Sequence, residues 1–271
     1  MDTPPYTPPA IEYPSVDSLL IHYCDFAYEH KGPFRMSTLD IGETTAKTFA
    51  ELLSGSLMDI YVGKSKRHWL LHRNILCYHS TWFQKQAEEG NKQNFGKVEL
   101  FEDEPRAFEL LVKWLYQGKI DDVSDMPMEK KWDYAYACQQ LYVLCEKLNL
   151  PSLKNQAIDQ FRKGCYQAGL VPGPEEMKPI YERTPPSSPF RKLVSRIAAR
   201  QLMDPESQSD ASKYRECFQS SADFAIDVVN AIKEGAGGKL FHDPTEEDGC
   251  HYHEHHPGQR CNSKKLKSKD G

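Results

Sequence analysis

The stretch "EPRAFELLVKWLYQGKI", residues 104–120, limits the possible folds of this chain more than any other segment. Pro105 lies in the first turn of an expected helix. Phe108, Leu111 and Leu115 recur at the spacing of a single helical face. Gly118 follows as a terminator. The pattern predicts an amphipathic helix that ends at Gly118 and buries one face against another layer of secondary structure.

The segments around this helix predict a mixed fold. Residues 57–72, "LMDIYVGKSKRHWLLH", place two short apolar runs on either side of a Gly-Lys-Ser-Lys turn, which is typical of a hairpin. One or two short helices are expected between 74 and 89, and a strand at 97–103. Helices through 134–150 and 153–165 follow, separated at Pro151. This order predicts the α+β class, with a small sheet covered by helices.

The two ends of the chain differ from this central part. Residues 1–14 are rich in proline and predict an extended segment, and residues 16–28 predict an amphipathic helix. Residues 171–187 have the proline and serine content of a linker. Ser188 then predicts the cap of a helix with Pro189 in its first turn, and "FAIDVVNAI" predicts a final helix.

Composition excludes several classes of protein. The net charge of −5 over 271 residues gives no argument for nucleic-acid or membrane binding by the whole chain. No secretory signal and no run of about 18 apolar residues is present, so we expect an intracellular protein of the nucleus, the cytoplasm or both. Eight scattered cysteines are then expected to be mostly reduced and buried.

Several spaced motifs together resemble the BTB/POZ domain family: "SGSLMDIYVG", "HWLLHRNILCYHSTWFQK", "VELFEDEPRAFELLVKWLYQGKI" and "LYVLCEKLNLPSLKNQAIDQF". The resemblance covers about residues 50–165. It departs from the family pattern at Met58, where serine is common, and in the helix start at 76–83. The segments after the domain look similar to the C-terminal half of fungal BTB proteins.

The resemblance implies a division of the chain and a function. We expect a proline-rich arm and helix at 1–40, a BTB/POZ fold at 41–168, a linker and helical region at 169–238, and a Cys/His-rich basic tail at 239–271. The family resemblance implies a non-catalytic protein–protein interaction module that forms homodimers, with the helix at 16–28 as a candidate exchanged element. Many such proteins are adaptors that join an unknown substrate protein to the cullin scaffold of a ubiquitin ligase. A nuclear scaffold or transcriptional co-regulator is the alternative.

Asp59 and Arg73 match charged positions that line a pocket near the dimer interface in this family. The resemblance therefore implies that they contact a peptide or partner. An ion pair between them that orders the domain is an equal alternative.

The first chemical candidate is the cluster of His68, His72, Cys77 and His79, which are residue types used in catalysis and metal binding. Against this hypothesis, a reaction site needs side chains that converge in space. His72 also occupies the family's usual histidine at the end of the second strand. We therefore interpret the four as fold and surface residues, and expect no enzyme.

The second candidate is "CHYHEHHPGQRC" near the C-terminus. Cys250, His253, His255 and Cys261 offer two thiolates and two imidazoles, a ligand set that suits one structural zinc ion. His251 or His256 can replace either histidine. A histidine-rich tail without metal is the alternative.

Two further signals lie outside the domain. The run "KKLKSK" at 264–269 has the composition of a nuclear import signal, or of a solvated basic end. Thr184 and Ser188 each precede proline and resemble sites of proline-directed kinases. Ser188 is equally explained as the start of a helix.

Overall fold

A computed structural model describes residues 41–93, 97–206, 210–235, 243–245 and 250–255, with side chains omitted for 88–93. The proline-rich arm, the helix expected at 16–28 and the basic run at 264–269 lie outside these residues. So do His256 and Cys261, which were candidate zinc ligands.

A three-stranded mixed sheet contains the hairpin that the sequence predicts. The strands are β1 (Leu57–Val62), β2 (Arg67–His72) and β3 (Lys97–Leu100), in the order β2-β1-β3. β2 runs antiparallel to β1, whereas β3 runs parallel to it. Gly63 starts the hairpin turn with φ at +74°, and a Cβ there would lie 2.9 Å from Cγ of Pro105. Glycine is therefore required at this turn.

Six helices accompany the sheet in this part of the chain. They are α1 (Ala46–Leu52), α2 (Arg73–His79), α3 (Thr81–Gln93), α4 (Pro105–Gln117), α5 (Met128–Leu148) and α6 (Pro151–Ala168). The prediction for α4 is confirmed: Pro105 is in its first turn, and Gly118 ends it in the left-handed conformation. Leu111 and Leu115 on its inner face are fully buried.

Helices α5 and α6 pack along each other at close range. Gly164 of α6 permits this approach, because a Cβ at that position would lie only 2.7 Å from Cβ of Ala135. Leu141, Leu144 and Phe161 are fully or almost fully buried in the core to which both helices contribute. The two helices therefore form the central support of the molecule.

The C-terminal region is more helical than the sequence predicts. It contains α7 (Pro174–Arg183), α8 (Pro189–Met203), α9 (Arg215–Ser220) and α10 (Ala222–Glu234). The linker expected at 171–187 is wrong for residues 174–183, because α7 buries Met177 and Ile180. Pro174 and Pro189 lie in the first turns of helices, where proline costs no hydrogen bond. The proline content that suggested a linker therefore marks two helix starts.

One core joins the sheet, its helices and the C-terminal helices. Apolar side chains from Met58 on β1 to Phe190 on α8 belong to the same buried cluster. A polar contact adds to this connection: Asp103, which is 3% exposed, accepts from Lys147 at 2.9 Å and from Arg183. Within the described residues, every helix is too short or too polar to span a bilayer.

Candidate functional site

His68, His72 and His79 lie in three different environments. His68 is exposed, lies 2.6 Å from Asp59 Oδ1 through Nε2, and stacks on Tyr61. His79 contacts Trp114, and burial lowers its pKa to about 4, partly offset by a backbone hydrogen bond with Leu115. In the described part of the chain, no three His, Cys, Asp or Glu side chains lie close enough to hold a metal ion. These histidines therefore form no common site.

His72 connects two of the motifs seen in the sequence. Its Nδ1 lies 2.9 Å from the hydroxyl of Tyr116, and its backbone N–H donates to the same hydroxyl at 3.4 Å. Tyr116 belongs to the last turn of α4, so this contact fixes the end of β2 against that helix. His72 acts here as a fold residue.

Asp59 and Arg73 are not joined to each other in the described structure. Asp59 pairs with His68, as given above, and the guanidinium of Arg73 donates to the carbonyl of Ala87 at 3.2 Å. The ion pair considered as an alternative is therefore not formed. Asp59 faces solvent on the sheet, whereas Arg73 connects α2 to α3.

The solvent face of the sheet, which we call the outer sheet face, is an ordered arrangement of charges and rings. Lys97 pairs with Glu99 at 2.5 Å and lies over the ring of Tyr61 at 4.9 Å. The hydrogen bond to Glu99 raises the pKa of Lys97. Leu57 and Leu70 are 45% and 51% exposed on the same face. An apolar pair beside ordered polar groups is typical of a protein-contact surface.

Comparison with known families decides what this part of the chain is. Residues 48–163 match the family model of the BTB/POZ domain. This segment has the fold of a BTB/POZ domain. The match spans the sheet and extends into α6, which agrees with the segment that the sequence motifs resemble. No curated protein matches the chain. The similarity of the C-terminal half to fungal BTB proteins stays a prediction.

Thr184 and Ser188 lie outside the BTB domain, and both are buried. Thr184 donates through Oγ1 to the carbonyl of Ile180 and accepts from Nε of Arg191. Ser188 accepts from the amide of Phe190 and lies 3.1 Å from the hydroxyl of Tyr142 on the BTB helix α5. The interpretation of Ser188 as a helix cap is confirmed. A kinase would reach either hydroxyl only after this segment opened.

Arg191 organises the region around these two residues, and sequence reasoning missed it. Its side chain is almost fully buried and donates to the carbonyls of Tyr181 and Thr184, and to Asp223 at 3.2 Å. The guanidinium also lies over the ring of Tyr181 at 4.8 Å. Nothing in the local pattern of α8 distinguishes this arginine from a solvated one, because its partners come from α7 and α10.

The second chemical candidate lies against the last helix of the BTB domain. Cys250 is exposed, whereas the side chain of His253 is only 4% exposed and its Nε2 lies 2.5 Å from Oδ2 of Asp159. The ring of His255 is 5.7 Å from that of His253. Of the four expected zinc ligands, the structure thus places two histidines near each other, and Cys261 lies outside the described residues.

A cleft of about 440 Å³ opens between α8 and α10 in the C-terminal region. Lys192 and Arg196 lie on one wall and Asp227 and Glu234 on the other, with His251 of the tail at its edge. Arg196 pairs with Glu234 at 3.3 Å across the cleft. The opposite charges of the two walls therefore already balance each other.

Proposed function

We propose that this chain is a dimerising, non-catalytic BTB protein that serves as a substrate adaptor of a cullin-based ubiquitin ligase. The observation that carries the proposal is the BTB/POZ domain at residues 48–163, which makes the chain a protein–protein interaction module. Dimerisation, the cullin scaffold and the substrate go beyond that match. They follow from what the family resemblance implies and from the surfaces described above.

Two features support self-association. Leu57 and Leu70 expose apolar surface on the outer sheet face. In the helix expected at 16–28, Leu19 and Phe26 lie on one apolar face. An isolated helix would leave that face exposed to water. A second copy of the chain would bury both kinds of surface.

Light scattering on the full chain at micromolar concentration tests dimerisation. We expect a dimer that weakens when Leu19→Asp and Phe26→Asp are combined, because the charges would remove the apolar face. Ser18→Asp with His22→Asp is the matched control, since it adds the same charge between the apolar positions. A monomeric full chain would contradict the proposal.

Binding to a cullin separates this function from the alternative, a nuclear scaffold or transcriptional co-regulator. The basic run at 264–269 favours the alternative. We expect the full chain to retain the N-terminal region of a cullin in a pull-down and to show no enrichment on chromatin. Chromatin association without cullin binding would favour the nuclear function.

We also propose that the tail binds one structural zinc ion through Cys250, His253, His255 and Cys261. The contact between Nε2 of His253 and Asp159 supports this assignment, because metal-bound histidines commonly donate their other ring N–H to a carboxylate. Nδ1 of His253 would then be the coordinating atom. Four protein ligands would leave no open position for catalysis.

Metal analysis of protein purified without a histidine tag tests the zinc site. We expect a stoichiometry near one that is lost in Cys250→Ser and in Cys261→Ser. Cys77→Ser is the control, because Cys77 lies in α2 of the BTB domain. Zinc content that is the same in all variants would rule out these ligands.

A further inference from the structure

The C-terminal tail lies along helix α6 of the BTB domain. Residues 243–245 and 250–255 contact this helix about 80 to 100 positions after it in the sequence. Tyr252 and Thr245 are 0% and 1% exposed. We call the receiving surface, formed by Tyr142, Lys154, Asn155, Asp159 and Arg162, the α6 groove.

Asn155 binds the backbone of the tail rather than one of its side chains. Its Nδ2 donates to the carbonyl of Glu254, and its Oδ1 accepts from the amide of the same residue. One side chain thus satisfies both backbone groups of one residue, as a neighbouring strand would. This contact holds the backbone of Glu254, which follows a turn closed by the hydrogen bond from the His253 amide to the Cys250 carbonyl. It requires no particular side chain at that position.

Lys154 pairs with the carboxylate of the same residue, Glu254. Its side chain is 5% exposed, and its ammonium group contacts Glu254 of the tail and Glu146 of α5 and lies 4.9 Å from the ring centre of Tyr142. Burial alone would lower the pKa of Lys154. Tyr142 and the two carboxylates outweigh burial, so the pKa is raised and the lysine stays charged. A carboxylate is therefore the favoured occupant at this point.

Arg162 and Asp159 hold the preceding residues. Arg162 donates through Nε to the carbonyl of Pro244 at 3.1 Å, and its guanidinium lies 4.5 Å from the ring centre of Tyr252. Asp159 contacts His253, as described above. An aromatic ring, a histidine and a carboxylate in succession thus each meet a different group of α6.

This interface differs from the apolar core because the groups that α6 contributes to it are polar and can be solvated by water. Without the tail, Lys154 keeps Glu146, and Arg162 keeps Asp159 at 3.6 Å. The freed groups are charged or amide groups that water solvates well. Vacating the α6 groove therefore exposes these polar groups together with the ring of Tyr252, which belongs to the buried apolar cluster. A segment that replaces the tail must bury an aromatic ring at the same place.

We propose that the α6 groove is a peptide-binding site that the chain's own tail occupies in cis. Its partner in trans is a protein segment that forms the same turn and has an aromatic residue two positions before a carboxylate, as in Tyr252 and Glu254. Only seven residues separate Gly235 at the end of α10 from Asp243, so the tail acts at an effective concentration of about millimolar. A partner gains access when the tail is displaced. The assignment of this site uses neither dimerisation nor cullin binding.

Binding of a labelled peptide with the sequence of residues 243–255 to the full chain tests the proposal, because the peptide must compete with the chain's own tail for the groove. The wild-type chain should bind the peptide weakly, because its own tail occupies the groove. The full-length double variant Tyr252→Ala, Glu254→Ala should bind it at least about tenfold more tightly. Fluorescence anisotropy measures both affinities. Glu254→Lys alone, which keeps Tyr252, should give the same direction of change.

Charge reversal identifies the groove. In the double variant, Lys154→Glu should abolish binding of the peptide, whereas Lys163→Glu, which makes the same charge change on α6 at a residue paired with Asp122, should not. A peptide with lysine in place of Glu254 should fail to bind the double variant and should bind again when Lys154→Glu is added. Equal binding to wild type and double variant, or no binding to the double variant while its thermal unfolding stays cooperative, would overturn the proposal.

Discussion

The core around α4, α5 and α6 and the α6 groove are both buried, but by different physical means. Leu111, Leu115 and Phe161 are fully buried among apolar neighbours. In the groove, Lys154 and Arg162 are nearly as buried, at 4% and 3% exposure, among charges and hydrogen-bonding groups. Depth of burial alone thus does not distinguish the two regions.

The difference lies in what each region loses when it opens. Apolar contacts contribute in proportion to the area removed from water, so opening the core costs free energy at every residue. Charged pairs regain hydration when they separate, which offsets much of their attraction. Helix α6 therefore combines a permanent face toward the core with a replaceable face toward the tail.

The largest effect is expected from Leu111→Asp in the core. An unpaired buried carboxylate there should cost several kcal/mol, comparable with the roughly 5–15 kcal/mol by which a domain is stable. We expect loss of cooperative thermal unfolding measured by circular dichroism. A chain with retained cooperative unfolding would show that the inner face of α4 is not a core surface.

A smaller effect is expected when His79 is titrated. Its pKa of about 4 in the folded chain lies below the usual value of 6.5, so the unfolded chain takes up the proton more readily. Stability from this group is complete above about pH 6.5 and is lost as the pH falls toward 4, by about 3 kcal/mol in total. His79→Phe should reduce the change of the denaturant midpoint with pH over that range. His251→Gln, at an exposed position, should leave that change as it is in the wild type. An equal effect of both variants would contradict the assignment.

Asn155→Ala should loosen the tail and leave the core intact. Loss of two hydrogen bonds should weaken docking by about 1–2 kcal/mol, which corresponds to about a tenfold loss of hydrogen-exchange protection at the amide of Glu254. Gln156→Ala is the control, because Gln156 bonds the backbone of Gly118 and Ile120 instead of the tail. Equal loss of protection in both variants would show that the groove opens only with the core.

The smallest effect is expected from His68→Ala on the outer sheet face. His68 and Asp59 are each more than 40% exposed, and exposed ion pairs contribute about 0–1 kcal/mol. The urea midpoint should therefore change little. A decrease of more than about 2 kcal/mol in the free energy of unfolding would mean that the stack of His68 on Tyr61 stabilises the sheet. The outer sheet face would then contribute to stability as the core does.

Much of the BTB fold could be predicted because its signals are local. Pro105 and Gly118 bound α4, and the Gly-Lys-Ser-Lys turn separates β1 from β2, as expected. The linker expected at 171–187 was wrong in part because proline marks both linkers and helix starts. The direction of β3 is also not a local property, since its parallel pairing with β1 depends on the helices between them.

The candidate sites were less predictable because the same residue types serve several purposes. The cluster at 68–79 contains three histidines that contact three separate groups: Asp59 on β1, and Tyr116 and Trp114 at two positions of α4. Proximity in sequence therefore gave no common site. Tyr252 was missed because a single tyrosine within a histidine-rich tail has no local signature.

The α+β class, the hairpin and the helix at 105–117 could be predicted from the sequence, since each depends on turn residues or on the period of apolar positions. The position of the BTB domain followed from the motifs that resemble that family. Which polar faces are buried depends on tertiary contacts. The polar residues of α6 have the pattern of a solvated helix face, yet Lys154 and Asn155 meet Glu254 about 100 positions later. The physical reason is that burial of a polar group depends on the segment that covers it, and local sequence does not specify that segment.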